Sequence, residues 1–366
     1  MMKSENQSER VNRDNGIDLL RIIAAFLVVT GHVMTTSFSQ YYEKLGAGGS
    51  FTPDITSWIL SFFRCGHWAV VAFFMVSGAF VLSSSKTGDF SSFYSKTWKK
   101  LGIPTLVFSI IYIIAVPLNN VITGQADAAT AIFYELFLTL QGMPARHMWY
   151  MFVLIGMYLF APFLVLGREK MGNRAFARFA IAAYIIGCLG CYVQRPAYYW
   201  SISTIANELG IFMMGFVIHD RIGSKKNNKL AACFIALGFA LQVLLTVLYV
   251  HSKLIGDISG IGAVFAELEP FNPLVNISGG LFFAGIRLLD IKGSFFGFAE
   301  LSYYIYLVHP LVIMPLLLVT GIWGLPAAVL GRPVSLAVAL VLTLVTFILS
   351  WLVSQLIVTV KGRKKS

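Results

Sequence analysis

The chain has 366 residues, of which 57% are hydrophobic and 12% charged, against roughly 45–50% and about 25% in ordinary soluble domains. That leaves too little polar surface to cover a core, which excludes a soluble globular protein, and it also excludes disorder, collagen-like repeats and disulfide scaffolds. The formal net charge of +11 would suit nucleic acid, but the placement of the charges points elsewhere.

Apolar stretches long enough for a hydrocarbon core of about 30 Å, roughly 20 helical residues each, recur along the whole chain. Ten are predicted, at residues 17–36, 57–82, 101–121, 147–166, 175–193, 203–219, 229–250, 272–289, 300–320 and 334–360. The expected fold is an all-α polytopic membrane protein, a bundle of about ten transmembrane helices. The first stretch carries Asp18 and Arg21, lacks a small-residue cleavage site and is followed by nine more, so it reads as a retained span and not a cleaved signal.

Lysine and arginine orient this bundle, because cytoplasmic loops carry the excess of them. With the N-terminus inside, 19 of the 28 fall in cytoplasmic segments, 5 outside and 4 within or at the ends of spans. Both termini are therefore expected in the cytoplasm, with a short N-terminal segment (1–16), a membrane domain (17–360) and a basic tail (361–366). The loops expected outside, 40–56, 122–146 and 251–271, are modest. Cys65, Cys188, Cys191 and Cys233 all lie in apolar stretches without zinc-type spacing and read as small packing residues. No metal motif, nucleotide-binding loop or nucleophile elbow is present.

Ionisable groups inside a span cost about 2.5–3.5 kcal/mol each at helix centre, so each is a functional candidate by default. In the first span Arg21 and His32 are eleven residues apart, a rotation of about 1100° that returns them to within roughly 20° of one face, separated by about 16 Å along the axis. Asp18 lies one turn before Arg21 on that face. Arg21 then sits in the cytoplasmic half and His32 in the outer half. The second span places Arg64 near the depth of His32 and Ser77, with Gly78, near the depth of Arg21, while His67 lies one turn from Arg64. The fourth span opens with Arg146, His147, Trp149 and Tyr150 at the outer interface. In the ninth, Ser302, Tyr306 and His309 follow i, i+4, i+7 spacing and share a face, with His309 near the midplane. His219 and His251 fall at span ends, where solvated or interfacial histidines are expected.

Histidine can deprotonate a sugar hydroxyl or carry an acyl group, and arginine offers a fork of donors to phosphate or to a developing oxyanion. Such groups also line transport paths, so an exporter of lipid-linked sugar is the rival to an enzyme, although no inverted halves or paired broken spans are evident.

Four segments carry a resemblance: Ile17-Asp-Leu-Leu-Arg21 followed by His32, Phe73-Phe-Met-Val-Ser-Gly78, His147-Met-Trp-Tyr-Met-Phe152 leading to Ala161-Pro-Phe163, and Ser302-Tyr-Tyr-Ile-Tyr-Leu-Val-His-Pro310. In that order the chain resembles the acyltransferase 3 family, integral-membrane O-acyltransferases of bacterial envelope glycans, and is similar to its compact members. The resemblance implies transfer of an acyl group, usually acetyl, from cytoplasmic acyl-CoA to a hydroxyl of an envelope or lipid-linked saccharide, in a bacterial cell membrane. Acyl-CoA would be a substrate, with no permanently bound cofactor and no metal. Arg21 and His32 would be the catalytic pair, with Asp18, Arg64, Ser77, His147, Trp149, Tyr306 and His309 supporting them or binding substrate.

Overall fold

A computed structural model describes residues 14–37, 55–64, 66–193, 202–258, 272–320 and 333–363. Every regular element among the described residues is helical: α1 (Asn15–Ser37), α2 (Ile55–Arg64), α3 (Trp68–Ser83), α4 (Phe90–Thr97), α5 (Ile103–Ile122), α6 (Ala128–Leu140), α7 (Trp149–Val193), α8 (Ile202–Ile222), α9 (Asn228–Tyr249), α10 (Pro273–Leu288), α11 (Phe296–Thr320) and α12 (Pro333–Arg363).

Among the described residues, seven helices are long and apolar enough to cross a membrane. The protein is an all-α polytopic membrane protein, and each of the ten predicted spans coincides with helix. The 45 residues of α7 would reach roughly 65 Å if straight, twice what one crossing needs. Gly172 breaks it at φ +78° and ψ 158°, a conformation that only glycine adopts readily, and the two limbs match the fourth and fifth predicted spans. The eighth predicted span coincides with α10, which at sixteen residues is shorter than the roughly 20 a crossing needs.

Two expectations need correcting. The second span is not continuous: α2 ends at Arg64 and α3 starts at Trp68, with a turn at Gly66 and His67 between them. The segment expected as a plain outer loop at 122–146 contains α6, thirteen residues long. At about 20 Å, α6 is too short to span. Its start is written in Asp127, whose side chain accepts from the Thr130 N–H at 3.0 Å and the Thr130 hydroxyl at 2.6 Å, the usual N-cap arrangement.

The centre of the bundle is α1, which packs against α3, α10, α11 and α12. Its partner α3 is buried on several sides, from Trp68 and Phe74 to Ala79 and Leu82, so its sequence is apolar all round, as a core helix requires. Close approach is set by small residues. A Cβ on Gly78 would lie 1.7 Å from the Phe212 carbonyl oxygen, and one on Gly215 would lie 2.1 Å from that of Met75. The α3–α8 contact therefore excludes larger residues at both positions.

At the end of the bundle expected inside, Asp14 caps α1 by accepting from the Gly16 and Ile17 amides at 2.8 and 3.3 Å. The same carboxylate pairs with buried Arg287 and with Lys226. Arg287 also donates to the Gly223 carbonyl and to His219 Nδ1 at 3.2 Å. His219 is thus a hydrogen-bonded acceptor in a polar knot joining α1, α8 and α10, and not merely a solvated span end. His251 keeps the interfacial character expected of it, one-third exposed beside Asp257 at 3.0 Å.

Candidate active site

Two helices and the turn before a third deliver one histidine each to the same place. His309 Nε2 of α11 lies 3.2 Å from His32 Nδ1 of α1. The His147 ring, just before α7, stands 6.0 Å from His32 and 5.4 Å from His309, edge-on to both. His309 and His147 are buried, at 0% and 5% exposure, while His32 is partly accessible. The sequence placed His309 near the midplane and the other two farther out; packing brings all three to one level, because the spans do not run as parallel rods of equal register.

Backbone carbonyls decide which nitrogens carry protons. His309 Nδ1 faces the carbonyl oxygens of Tyr306 at 2.8 Å and Ile305 at 3.2 Å. These can only accept, so in the neutral ring Nδ1 is the donor and Nε2 presents its lone pair to His32. His32 Nδ1 has that lone pair on one side and the Val28 carbonyl at 2.9 Å on the other, so it too must carry the proton. The basic lone pair of His32 is then on Nε2. For His147, Nδ1 faces the Ala145 carbonyl at 3.3 Å, and Nε2 is buried with no hydrogen-bond partner among the described residues.

Aromatic side chains wall this cluster. Tyr306 donates its hydroxyl to the His147 carbonyl, and its ring lies 5.5 Å from His147 and 5.9 Å from His309. Tyr112 of α5 stands edge-on to His147 at 5.0 Å and donates to the Leu307 carbonyl at 2.7 Å. His67, exposed at the break between α2 and α3, is near enough to His32 to interact electrostatically.

His147 is presented by a strained turn. Ala145 and Arg146 both have positive φ, +50° and +59°, a conformation costing roughly 1–2 kcal/mol for each non-glycine residue. The His147 N–H closes back on the Ala145 carbonyl at 2.7 Å, a γ-turn about Arg146. Arg146 itself is exposed and donates to the Tyr134 hydroxyl at 2.5 Å.

The second polar level is also present. Arg21, with 21% of its side chain exposed, lies 3.8 Å from the buried carboxylate of Asp18. Ser77 interacts with Tyr150 and Tyr158, and both tyrosines feel the Arg21 charge. Tyr150 bridges the levels, since its ring is 5.4 Å from Tyr306. Of the Ser77–Gly78 pair, the serine faces this level and the glycine serves the α3–α8 contact. Trp149 packs edge-on to Tyr150 at 6.3 Å, beside the histidines but not among their rings. The Arg64 side chain lies outside the described residues. Ser302 shares the buried face of α11 but donates locally, to the Ala299 carbonyl at 2.7 Å.

Sequence reasoning missed Tyr112, and it set His67 beside Arg64, whereas the structure brings it within electrostatic reach of His32. Cys188 also departs from plain apolar packing: Asn207 donates to its sulfur at 3.0 Å. Among the described residues no group of three His, Cys, Asp or Glu side chains forms a metal site.

Comparison with protein families matches residues 14–355 to an acyltransferase domain, the acyltransferase 3 domain. The chain belongs to the acyltransferase 3 family. It is a multi-pass membrane acyltransferase, so the exporter reading falls away. No curated protein and no solved structure matches the chain significantly. The match covers both polar levels and all three clustered histidines, so the family domain and the site coincide.

Proposed function

We propose that this acyltransferase moves an acyl group, acetyl by preference, from acyl-CoA in the cytoplasm to a hydroxyl of an envelope or lipid-linked saccharide, with both chain termini inside. The observation that carries the reading is the hydrogen-bond relay from the Tyr306 carbonyl through His309 to His32 Nδ1, which leaves the basic nitrogen of His32 at Nε2.

In the proposed reaction, His32 Nε2 takes the proton of the acceptor hydroxyl as its oxygen attacks the thioester carbonyl. Collapse of the tetrahedral intermediate breaks the carbon–sulfur bond, and the leaving CoA thiolate takes the proton from His32. The products are an O-acyl ester and CoA, with His32 restored. His309 accepts from His32 Nδ1–H throughout, which steadies the imidazolium that forms in passing. Arg21, about 16 Å nearer the inner end of α1, with the lysines and arginines of that side, would hold the anionic part of the donor. Arg64 would bind the acceptor or the oxyanion.

The test incubates purified protein in nanodiscs with labelled acetyl-CoA and envelope glycolipid extract. Label appearing in glycan with wild type and lost with His32→Ala supports the reading; His32→Ala at full rate overturns the role of His32. A burst of CoA release before acceptor is added would instead make His32 a transient acyl carrier.

A further inference from the structure

Glu135 enters none of the steps above, yet it is only 1% exposed. It sits on α6, whose other side shows Phe133, Phe137 and Leu140 to the surroundings. A buried carboxylate needs partners. Its Oε1 accepts from the Ala145 N–H at 2.6 Å, and that amide opens the left-handed turn that delivers His147. The order of connections is continuous. Glu135 holds the Ala145 amide; the Ala145 carbonyl receives the His147 amide at 2.7 Å and faces His147 Nδ1 at 3.3 Å; and that carbonyl selects the His147 tautomer whose unpartnered Nε2 is in the cluster. Glu135 is the side-chain acceptor for an amide at a turn that carries two consecutive positive-φ residues, and it adds to the backbone bonds from Arg146 to the Met143 carbonyl and from His147 to the Ala145 carbonyl.

We propose that Glu135 is a positioning residue for His147: its carboxylate clamps the Ala145–Arg146 turn, and the turn fixes the orientation and tautomer of the His147 ring in the acyl-transfer site. The inference rests on the reading of the histidine cluster as that site. Burial raises the Glu135 carboxyl to about 7, against the opposing pull of the Ala145 amide and Arg146. Tyr112 of α5 and Arg146 of the turn are the titratable and charged groups that face it, with Tyr134 on its own helix bonded to Arg146. Protonation removes the charge that strengthens the bond to the amide, so the clamp loosens as pH falls through about 7.

The experiment follows CoA release from acetyl-CoA in the presence of envelope glycolipid extract, using full-length protein in nanodiscs, for wild type, E135A, E135Q, E135A/A145G and H147A. E135A is expected to lower kcat about 10- to 100-fold, as a small misplacement near the chemistry does, with KM for acetyl-CoA within about twofold. E135Q keeps an oxygen that accepts from Ala145, so it retains most of the rate and loses the part of the acid-side decline that Glu135 contributes. A145G in the E135A background restores at least about fivefold, since glycine adopts positive φ without strain. Repair by either route supports the clamp. Wild-type kcat in E135A, or a defect that neither E135Q nor A145G repairs, overturns it. If E135A fails to elute as a monodisperse species, E135Q decides: an unchanged acid limb overturns the proposal and a reduced one supports it. H147A at wild-type rate sinks the active-site reading itself, whereas an inactive H147A beside a fully active E135A sinks the role of Glu135 alone.

Discussion

The two polar levels of the bundle share α1 but are built from different materials. At the outer level His32, His147 and His309 are held by carbonyls of their own or adjacent turns, those of Val28, Ala145, Ile305 and Tyr306, and no carboxylate pairs with them in these contacts. At the inner level Arg21 stays charged, partly exposed, beside the buried carboxylate of Asp18. Carbonyls fix tautomers without demanding charge, which suits groups that must gain and lose a proton. An ion pair holds charge in place, which suits binding a polyanion but not proton transfer. The contrast assigns chemistry to one level and donor binding to the other, so substitutions at the two levels should separate in kcat and KM.

The largest effect is expected for His32→Ala, a fall in kcat of about 10²- to 10⁴-fold, the usual contribution of a general base, with little change in the KM for acetyl-CoA. His309→Ala comes next. It removes the acceptor for His32 Nδ1–H and should cost about 10- to 100-fold in kcat through misorientation. Arg21→Ala should act on the other parameter, raising the KM for acetyl-CoA about 10-fold or more, the worth of one charge-assisted contact, while kcat stays within about threefold. Steady-state kinetics on these three variants breaks the comparison if Arg21→Ala lowers kcat alone or His309→Ala raises KM alone.

Much of this was legible in the sequence, for physical reasons that also mark where legibility stops. A span must satisfy its backbone internally and be about 20 residues long, so hydropathy located every spanning helix, and helical periodicity placed Asp18, Arg21 and His32 on one stripe of α1. The α2–α3 break at Gly66 and His67 escaped because the segment remains apolar on both sides of it. Helix α6 escaped because thirteen residues are too few to signal a span. Convergence of the histidines was the hardest to foresee. His32 and His309 are 277 residues apart, and their contact depends on how α1 and α11 cross, which intramembrane packing decides and periodicity does not. His147 depended further on a backbone conformation at Ala145 and Arg146 that neither residue type announces.

The smallest expected effect bears most directly on the inner level. Asp18→Asn keeps the size of the side chain and removes its charge, leaving the net charge around Arg21 one unit more positive. Asp18 could serve Arg21 by aiming it or by neutralising it, and the two jobs predict opposite signs. At 3.8 Å the Arg21 Nη1 to Asp18 Oδ1 approach is longer than a hydrogen bond, so its hold on direction is weak and its effect is mainly Coulombic. The KM for acetyl-CoA should therefore fall, by up to about threefold for a partly screened unit charge, and should rise more steeply with added salt than in wild type. A KM that rises and is insensitive to salt would show instead that Asp18 aims Arg21, making the inner level as dependent on geometry as the histidine level and removing the contrast between them.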